Sequence, residues 1–362
     1  MRARPMDALG IDARMLGPSG IGRYLEALLP RVIAALAPRP IVVLGRRETL
    51  AAVPSWSRAS HVSLRACDAP VYGPTEQLAL ARATRGLPFF WSPHVNVPLG
   101  FRGRGLVATI HDTYHLRPEA EGTVRVDKRL HLRQLYRGAA RHSARILCVS
   151  AFGATEVQRW LGIPAARIAV ALNGVDGAAF GARPGDARTH PRPYALFVGN
   201  DKPHKNLRRL VAAFDRIADH TDLDLLVVGA CDRLDEYNAR PARIHRRPDI
   251  DHDELRRLYA QATLLVAPSL YEGFGLPPLE AMASGTPVIA ARAASLPEVC
   301  GDAALYVEPY RVDDLAAALV ALDRDPEARR RQVAAGAERV RHFTWERTAA
   351  TTVEALQTVL ST

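Results

Sequence analysis

The stretch Ser269–Ala290, SLYEGFGLPPLEAMASGTPVIA, decides the reading of the chain. It follows the apolar run Thr263–Ala267 and closes on another, Val288–Ala290, with a helical segment between them opened by Pro277 and Pro278. Proline suits the first turn of a helix because the N–H it lacks would find no partner there. Strand, loop, helix, strand is the unit of a parallel α/β sheet, and the chain repeats it. Apolar runs at Ile41–Leu44, Phe89–Trp91, Leu106–Ile110, Ile146–Val149, Ala195–Val198 and Leu223–Val228 alternate with amphipathic stretches. Continuous apolar runs read as strands buried on both faces and joined by βαβ crossovers. The expected class is α/β with two Rossmann-like domains, since 362 residues at roughly 150 per domain allow two cores. Phe180–Pro193, FGARPGDARTHPRP, is rich in Gly, Pro and charge and has no periodicity, so the boundary is expected near 186. Domains 1–186 and 187–344 would then face each other across a cleft at the carboxyl ends of their strands, where α/β folds place ligands.

Within the decisive stretch, Gly273 and Gly275 let the backbone approach a ligand and turn N–H groups toward it, and the helix N-terminus adds partial positive charge. Such a junction suits an anion, best a diphosphate, although a GxG before a helix also serves plain turns. Glu272 and Glu280 frame it. Carboxylates beside a phosphate site repel the ligand unless each accepts hydrogen bonds from neutral hydroxyls, and sugars offer vicinal hydroxyls for that purpose. One carboxylate for a ribose and one for a hexose fits a nucleotide sugar.

Composition removes other classes. With 48% hydrophobic and 24% charged residues, disorder, collagen and coiled coil are excluded. The formal charge is +10, and residues 1–180 hold the surplus: 24 Lys and Arg against 12 Asp and Glu, compared with 24 against 26 in residues 181–362. An anionic partner is expected on the N-terminal side. Cys67, Cys148, Cys231 and Cys300 lack CxxC spacing and read as buried free thiols. No metal-ligand cluster is spaced along the chain, so no metal is expected. Neither a secretory h-region nor a membrane-spanning run is present, which gives a cytoplasmic expectation.

The sequence EGFGLPPLEAMASGTPVIA resembles the E-x7-E signature of the group-1 (family 4) retaining glycosyltransferases of GT-B fold. The likeness extends through GPSGIGRY (Gly17–Tyr24), TIHD (Thr109–Asp112), NGVD (Asn173–Asp176), FVGNDKPHKNL (Phe197–Leu207) and FTWERTA (Phe343–Ala349), in the family's order. The resemblance implies that Glu272 hydrogen-bonds the donor hexose, that the amides of Phe274, Gly275 and Leu276 lie near the hexose and diphosphate, and that Glu280 binds the ribose. It implies that Lys205 neutralises the diphosphate and the leaving nucleotide. Many members carry an arginine directly after the strand glycine, where this chain has Asn200; Lys202 is the nearest substitute. Asp249 and Ile250 match the segment that holds the base through its backbone. Such enzymes work without a bound metal or other cofactor.

In the N-terminal half, Gly20-Ile21-Gly22 opens a helix with a 3.6-residue apolar face, which Pro30 should kink or end early. Family members bring this loop to the donor phosphate, so Gly20 and Gly22 are candidate contacts. His111, at the end of Leu106–Ile110, matches a histidine that meets the hexose, and Asp112 either orients its ring or caps a turn. The loop SPHVNVP, Ser92–Pro98, offers His94 and Asn96 to an acceptor. Arg125, Arg129, Arg133, Arg137, Arg141 and Arg145, with Lys128, recur at four-residue steps and drift around a helix as a slanting stripe. The stripe is either a basic amphipathic surface for anionic membrane or a solvated face; the lipid-linked acceptors common in the family favour the membrane. By resemblance, residues 345–362 form a helix crossing back to the N-terminal domain. GIDAR, GIGRY and HDTYHL resemble mannosyltransferases of bacterial polysaccharide assembly, which makes GDP-mannose the leading donor, UDP-hexoses the alternative, and a glycan, lipid-linked, the acceptor. A nucleotide-sugar 2-epimerase shares the architecture and would need no acceptor. Nucleic-acid binding is the remote reading, with only 6% aromatic residues to interleave the basic ones.

Overall fold

The computed structural model describes residues 7–17, 19–51, 55–120, 126–237 and 240–362. Among them thirteen strands make two sheets, and all their pairings are parallel. The first sheet contains β1 (Leu9–Asp12), β2 (Ile41–Gly45), β3 (Val62–Ala66), β4 (Phe89–Ser92), β5 (Gly105–Ile110), β6 (Arg145–Cys148) and β7 (Ile168–Val170), in the order β3-β2-β1-β4-β5-β6-β7. The second contains β8 (Tyr194–Val198), β9 (Asp224–Val228), β10 (Ile244–Arg247), β11 (Leu264–Ala267), β12 (Val288–Ala291) and β13 (Ala304–Val307), in the order β10-β9-β8-β11-β12-β13. These are the two Rossmann-like α/β sheets expected. Their central strands β2, β4, β5, β9, β11 and β12 are buried at every position, which is why they read as unbroken apolar runs. Each order reverses once, between β1 and β4 and between β8 and β11. Loops leaving those strand ends open a crevice, the place where open α/β sheets bind ligands.

Two compact units contain the sheets: Met1–Asn173 with Trp345–Thr362, and Gly174–Thr344. The division falls at 173/174, not near 186, and the reason is electrostatic. The segment that looked like a linker is bolted to the C-terminal unit. Arg256, 2% exposed, donates to both oxygens of Asp186 and to the carbonyl of Gly181, and the Phe180 ring packs edge-on against Tyr259. Thr189 binds the side chain of Gln261. The helix Trp345–Leu360 belongs to the N-terminal unit: Trp345 packs against Tyr24, Glu346 pairs with Arg31, and Thr348 donates to the carbonyl of Leu172. The helix Gly20–Ala35 runs through Pro30 without ending, carried by its buried face of Leu25, Leu28, Leu29, Val32 and Ile33. All four cysteines are buried and free. No helix among the described residues is long and apolar enough to cross a membrane.

Candidate active site

In the C-terminal unit the functional loops leave the two strands flanking the reversal point. After β8 the chain makes a short turn, Pro203–Lys205, and Asn206 then takes a left-handed conformation at φ 61°. Asn206 is buried, and its side-chain amide donates to the carbonyls of Pro268 (3.0 Å) and Pro309 (2.7 Å). The amide of Leu270 donates to the carbonyl of His204. These bonds fasten the loop after β8 to the loop after β11, and they bring Lys205 Nζ to 2.7 Å and 2.9 Å from the two oxygens of Glu272. Ser269 Oγ donates to the same carboxylate at 2.7 Å. Lysine and glutamate are each about one-sixth exposed, a charge-assisted pair within reach of a ligand.

Beyond Glu272 the chain reaches Gly275, at φ +105°, which caps the helix Leu276–Ala283. A side chain there would be strained in conformation and would press on Leu296 at 2.9 Å. Ser295 Oγ fixes the loop by donating to the carbonyls of Glu272 and Phe274. Within the described residues the amides of Phe274, Gly275 and Leu276 donate to no other group. Three amides at a helix N-terminus beside a lysine make an anion cradle. Glu280, one turn into the helix and 4% exposed, accepts a 2.7 Å hydrogen bond from Tyr259 Oη. Asn200 holds its own loop, accepting from the amide of Lys202 at 3.2 Å, while the Lys202 side chain is exposed. Asp249 and Ile250 lie on the loop between β10 and the helix His252–Gln261, Asp249 exposed and Ile250 half-buried.

In the N-terminal unit His111 follows β5. Its Nε2 lies 2.8 Å from the carbonyl of Pro93, and its ring meets the ring of Tyr24 edge-on at 4.8 Å. A carbonyl can only accept, so Nε2 carries the hydrogen and Nδ1 keeps a lone pair. Burial pushes the ring's pKa down to about 4, against the opposing pull of that carbonyl and of Asp112; the imidazole is neutral at physiological pH. Asp112 caps the next turn by accepting from the amide of Tyr114 at 2.9 Å.

Other expectations change. Gly22 has no bare amide to offer, because Ser19 Oγ accepts it at 2.9 Å as the helix cap. Its requirement is steric: a Cβ there would stand 1.8 Å from the carbonyl oxygen of Gly17. Gly20, two residues earlier, is exposed. His94 and Asn96 are not on an open loop edge; at 1% and 0% exposure they belong to a buried ionic chain. His94 Nε2 stands 3.2 Å from Asp12, and Asn96 donates to both oxygens of Glu76 at 3.0 Å and 2.9 Å. Arg14 links Asp12 and Glu76. On the helix Val126–His142, Lys128 and Arg137 are exposed, Arg129 and Arg133 are half-buried, and Arg129 turns back toward the carbonyl of Arg117. Arg125 lies outside the described residues, and Arg145 opens β6, so the stripe is shorter than its spacing suggested.

Sequence spacing missed Asn206, Tyr259, Ser269 and Ser295. Only Asn206 left a signal, as an Asn in a turn ahead of a helix, where the left-handed conformation is tolerated. It also missed His190, Asp224 and His245, a trio with metal-capable atoms within 4.8 Å, at the opposite, N-terminal edge of the second sheet. Asp224 accepts from His190 (2.7 Å) and Arg243 (2.8 Å), with Arg192 at 3.2 Å. Two guanidiniums on one carboxylate already make the cluster positive, so it ties residues 188–193 to β9 and β10 and is poorly suited to a cation.

Comparison with known proteins agrees with this geometry. Residues 183–339 match the model for glycosyl transferases group 1, and residues 84–178 match that for glycosyltransferase family 4. O-antigen chain mannosyltransferase B of Escherichia coli is 32% identical over 58% of this chain and 59% of its own length. Glycogen synthase of Mycobacterium tuberculosis is 30% identical over 69% of this chain and 62% of its own length. The chain thus spans about three fifths of the length of these curated relatives. Among solved structures, sucrose-phosphate synthase from Thermosynechococcus elongatus superposes with a TM-score of 0.77 at 22% identity, covering 98% of this chain and 99% of the other. The chain thus carries a glycosyltransferase family 4 domain, which holds His111, and a glycosyl transferases group 1 domain, which holds the Lys205–Glu272 pair, in a GT-B fold.

Proposed function

We propose that the protein is a retaining hexosyltransferase that moves mannose from GDP-mannose to a hydroxyl of a lipid-linked glycan in cell-surface polysaccharide assembly. The observation that carries the reading is the Lys205–Glu272 pair under the three open amides of Phe274, Gly275 and Leu276. A diphosphate takes the amides and Lys205; the hexose hydroxyls take Glu272; the ribose takes Glu280, which Tyr259 holds in place. As the glycosidic bond breaks, negative charge grows on the departing nucleotide, and amides and lysine already aimed there stabilise it without rearrangement. His111, neutral and with Nδ1 unprotonated, accepts a hydrogen bond from the sugar. The transfer is read as a front-face, oxocarbenium-like route; Asn200 and Lys202 line the phosphate side, and Asp249 and Ile250 the base.

The enzyme works at the cytoplasmic face of the membrane as a peripheral protein. Val126 and Leu130 are 76% and 55% exposed beside Lys128 and Arg137, an apolar and basic combination suited to anionic lipid. Salt-sensitive binding to anionic liposomes, absent with neutral ones, is the expected result.

A thermal-shift panel of GDP-mannose, UDP-glucose, UDP-galactose and UDP-N-acetylglucosamine tests the donor. Saturation at about 100 times Kd stabilises by about 2.7 kcal/mol, and GDP-mannose should give the largest shift. A larger shift with a UDP-hexose replaces mannose with that sugar, and no shift with any donor refutes the reading.

A further inference from the structure

The crevice at the reversal point of the first sheet is filled by a buried ionic chain. Arg14, just past β1, donates from Nε and Nη2 to Asp12 and from Nη2 to Glu76 at 2.9 Å. Glu76, the first residue of the helix Glu76–Ala83, accepts twice from the side chain of Asn96 and once from the amide of Tyr72. Asn96 lies on the loop Ser92–Pro98 that leaves β4. That loop is also pinned from within: Ser92 Oγ donates to the carbonyl of His94 at 2.9 Å, and the amide of Asn96 donates to His94 Nδ1 at 3.1 Å. The group held between these anchors is Pro93, whose carbonyl fixes His111. Every side chain in the chain is 1% exposed or less.

We propose that Asn96, Glu76 and Arg14 are positioning residues for His111, holding the Pro93 carbonyl where it fixes the Nε2–H tautomer and leaves the Nδ1 lone pair for a substrate hydroxyl. The inference rests on His111 meeting substrate. The chain has the construction that a preset loop requires. Its carboxylates take their bonds from a guanidinium, an amide side chain and backbone N–H groups, all ordered before any ligand arrives. A histidine whose carbonyl partner wandered would exchange tautomers, and the protonated face would then meet the substrate with a donor where an acceptor is needed. None of these residues needs to touch substrate.

The test is Asn96→Ala, read by two-bond nitrogen–proton NMR of the His111 ring. In the parent protein one ring nitrogen should be protonated and the other bare. In the variant the two signals should move toward each other, and kcat should fall roughly tenfold or more, as misplacement of a reacting group by an ångström costs up to about 100-fold, while KM for the donor stays within about twofold. Asn96→Asp keeps the size and covers the case in which the alanine variant does not fold. Near pH 6 its carboxyl shares a proton with Glu76 and the parent ring signals persist; as the pH rises toward 9 the shared proton is lost, the two charges repel and the signals converge. Unchanged ring signals in folded Asn96→Ala, or in Asn96→Asp across pH 6 to 9, overturn the proposal. Normal turnover in His111→Ala would instead refute the contact between His111 and substrate and leave the NMR result standing.

Discussion

Arg14→Met gives the most exacting check on the buried chain of the N-terminal unit. Arg14 is 1% exposed, and both its carboxylate partners are buried as completely. Burial pushes the Asp12 carboxyl up, but the Arg14 guanidinium and His94 outweigh that and hold it well below the usual carboxylate range. Asp12 therefore stabilises the fold fully above its unfolded value of about 3.9, and that contribution is lost only as the pH falls below it; from pH 5 to 8 this group leaves wild-type stability flat. Methionine fills much of the arginine's volume and removes the charge. Breaking a buried ion pair from one side costs about 3–5 kcal/mol, or roughly 10 °C in the melting temperature of a unit of this size. The sign of the pH dependence also changes. With the guanidinium gone and two carboxylates left in one buried site, one takes up a proton in the folded protein, its pKa raised by up to about 3–5 units. A raised folded pKa means that stability falls as pH rises from about 4, by about 1.4 kcal/mol per unit, until the folded group ionises. Urea unfolding of wild type and variant at half-unit steps from pH 5 to 8 should show a flat line and a descending one. A variant whose curve runs parallel to wild type, or that loses less than about 1 kcal/mol at pH 8, shows that Arg14 is not what holds these charges.

Three further outcomes concern the site. Glu272→Ala should lower transfer by about 100-fold or more yet leave affinity for the free nucleoside diphosphate intact or improved, since Lys205 loses its competing partner; weaker diphosphate binding in an isothermal titration would contradict the pairing. Tyr259→Phe removes the 2.7 Å bond to Glu280 and should weaken nucleotide binding by about 3- to 10-fold with kcat unchanged, whereas a changed kcat would place Glu280 nearer the chemistry. His111→Ala should reduce kcat far more than donor affinity. Because burial holds the wild-type ring to about 4, below its ordinary value of about 6.5, the histidine's neutral form persists and kcat should be level from pH 6 to 8 on its account; a limb near pH 6.5 that vanishes in the variant would show the ring to be titrating there.

How much of this was legible in the amino-acid sequence depends on where each residue sits in the sheets. The four sheet edges, β3, β7, β10 and β13, are less legible: β7 and β13 are apolar but only three and four residues long, and β3 and β10 carry polar side chains. An edge strand is covered on fewer sides, so Val62–Ala66 can alternate apolar and polar residues and Ile244–Arg247 can be largely polar. The donor loops were legible because one continuous stretch carries Glu272, the amides and Glu280, so local chemistry and fold coincide. The buried ionic chain was not. Arg14, Glu76 and Asn96 come from three segments more than sixty and about twenty residues apart, and each by itself is a type usually found in solvent. The same point bears on the surplus of positive charge in the first half of the chain. Arg14 belongs to the interior, where two carboxylates outweigh its charge, and Arg129 and Arg133 are half-buried. On the helix Val126–His142 the exposed Lys and Arg side chains are Lys128, Arg137 and Arg141, with the exposed Val126 and Leu130 beside them. A surface built from a few charges next to exposed apolar side chains should bind anionic lipid with a shallower salt dependence than the net charge implies. The apolar contacts do not screen, and only the exposed cations release counterions.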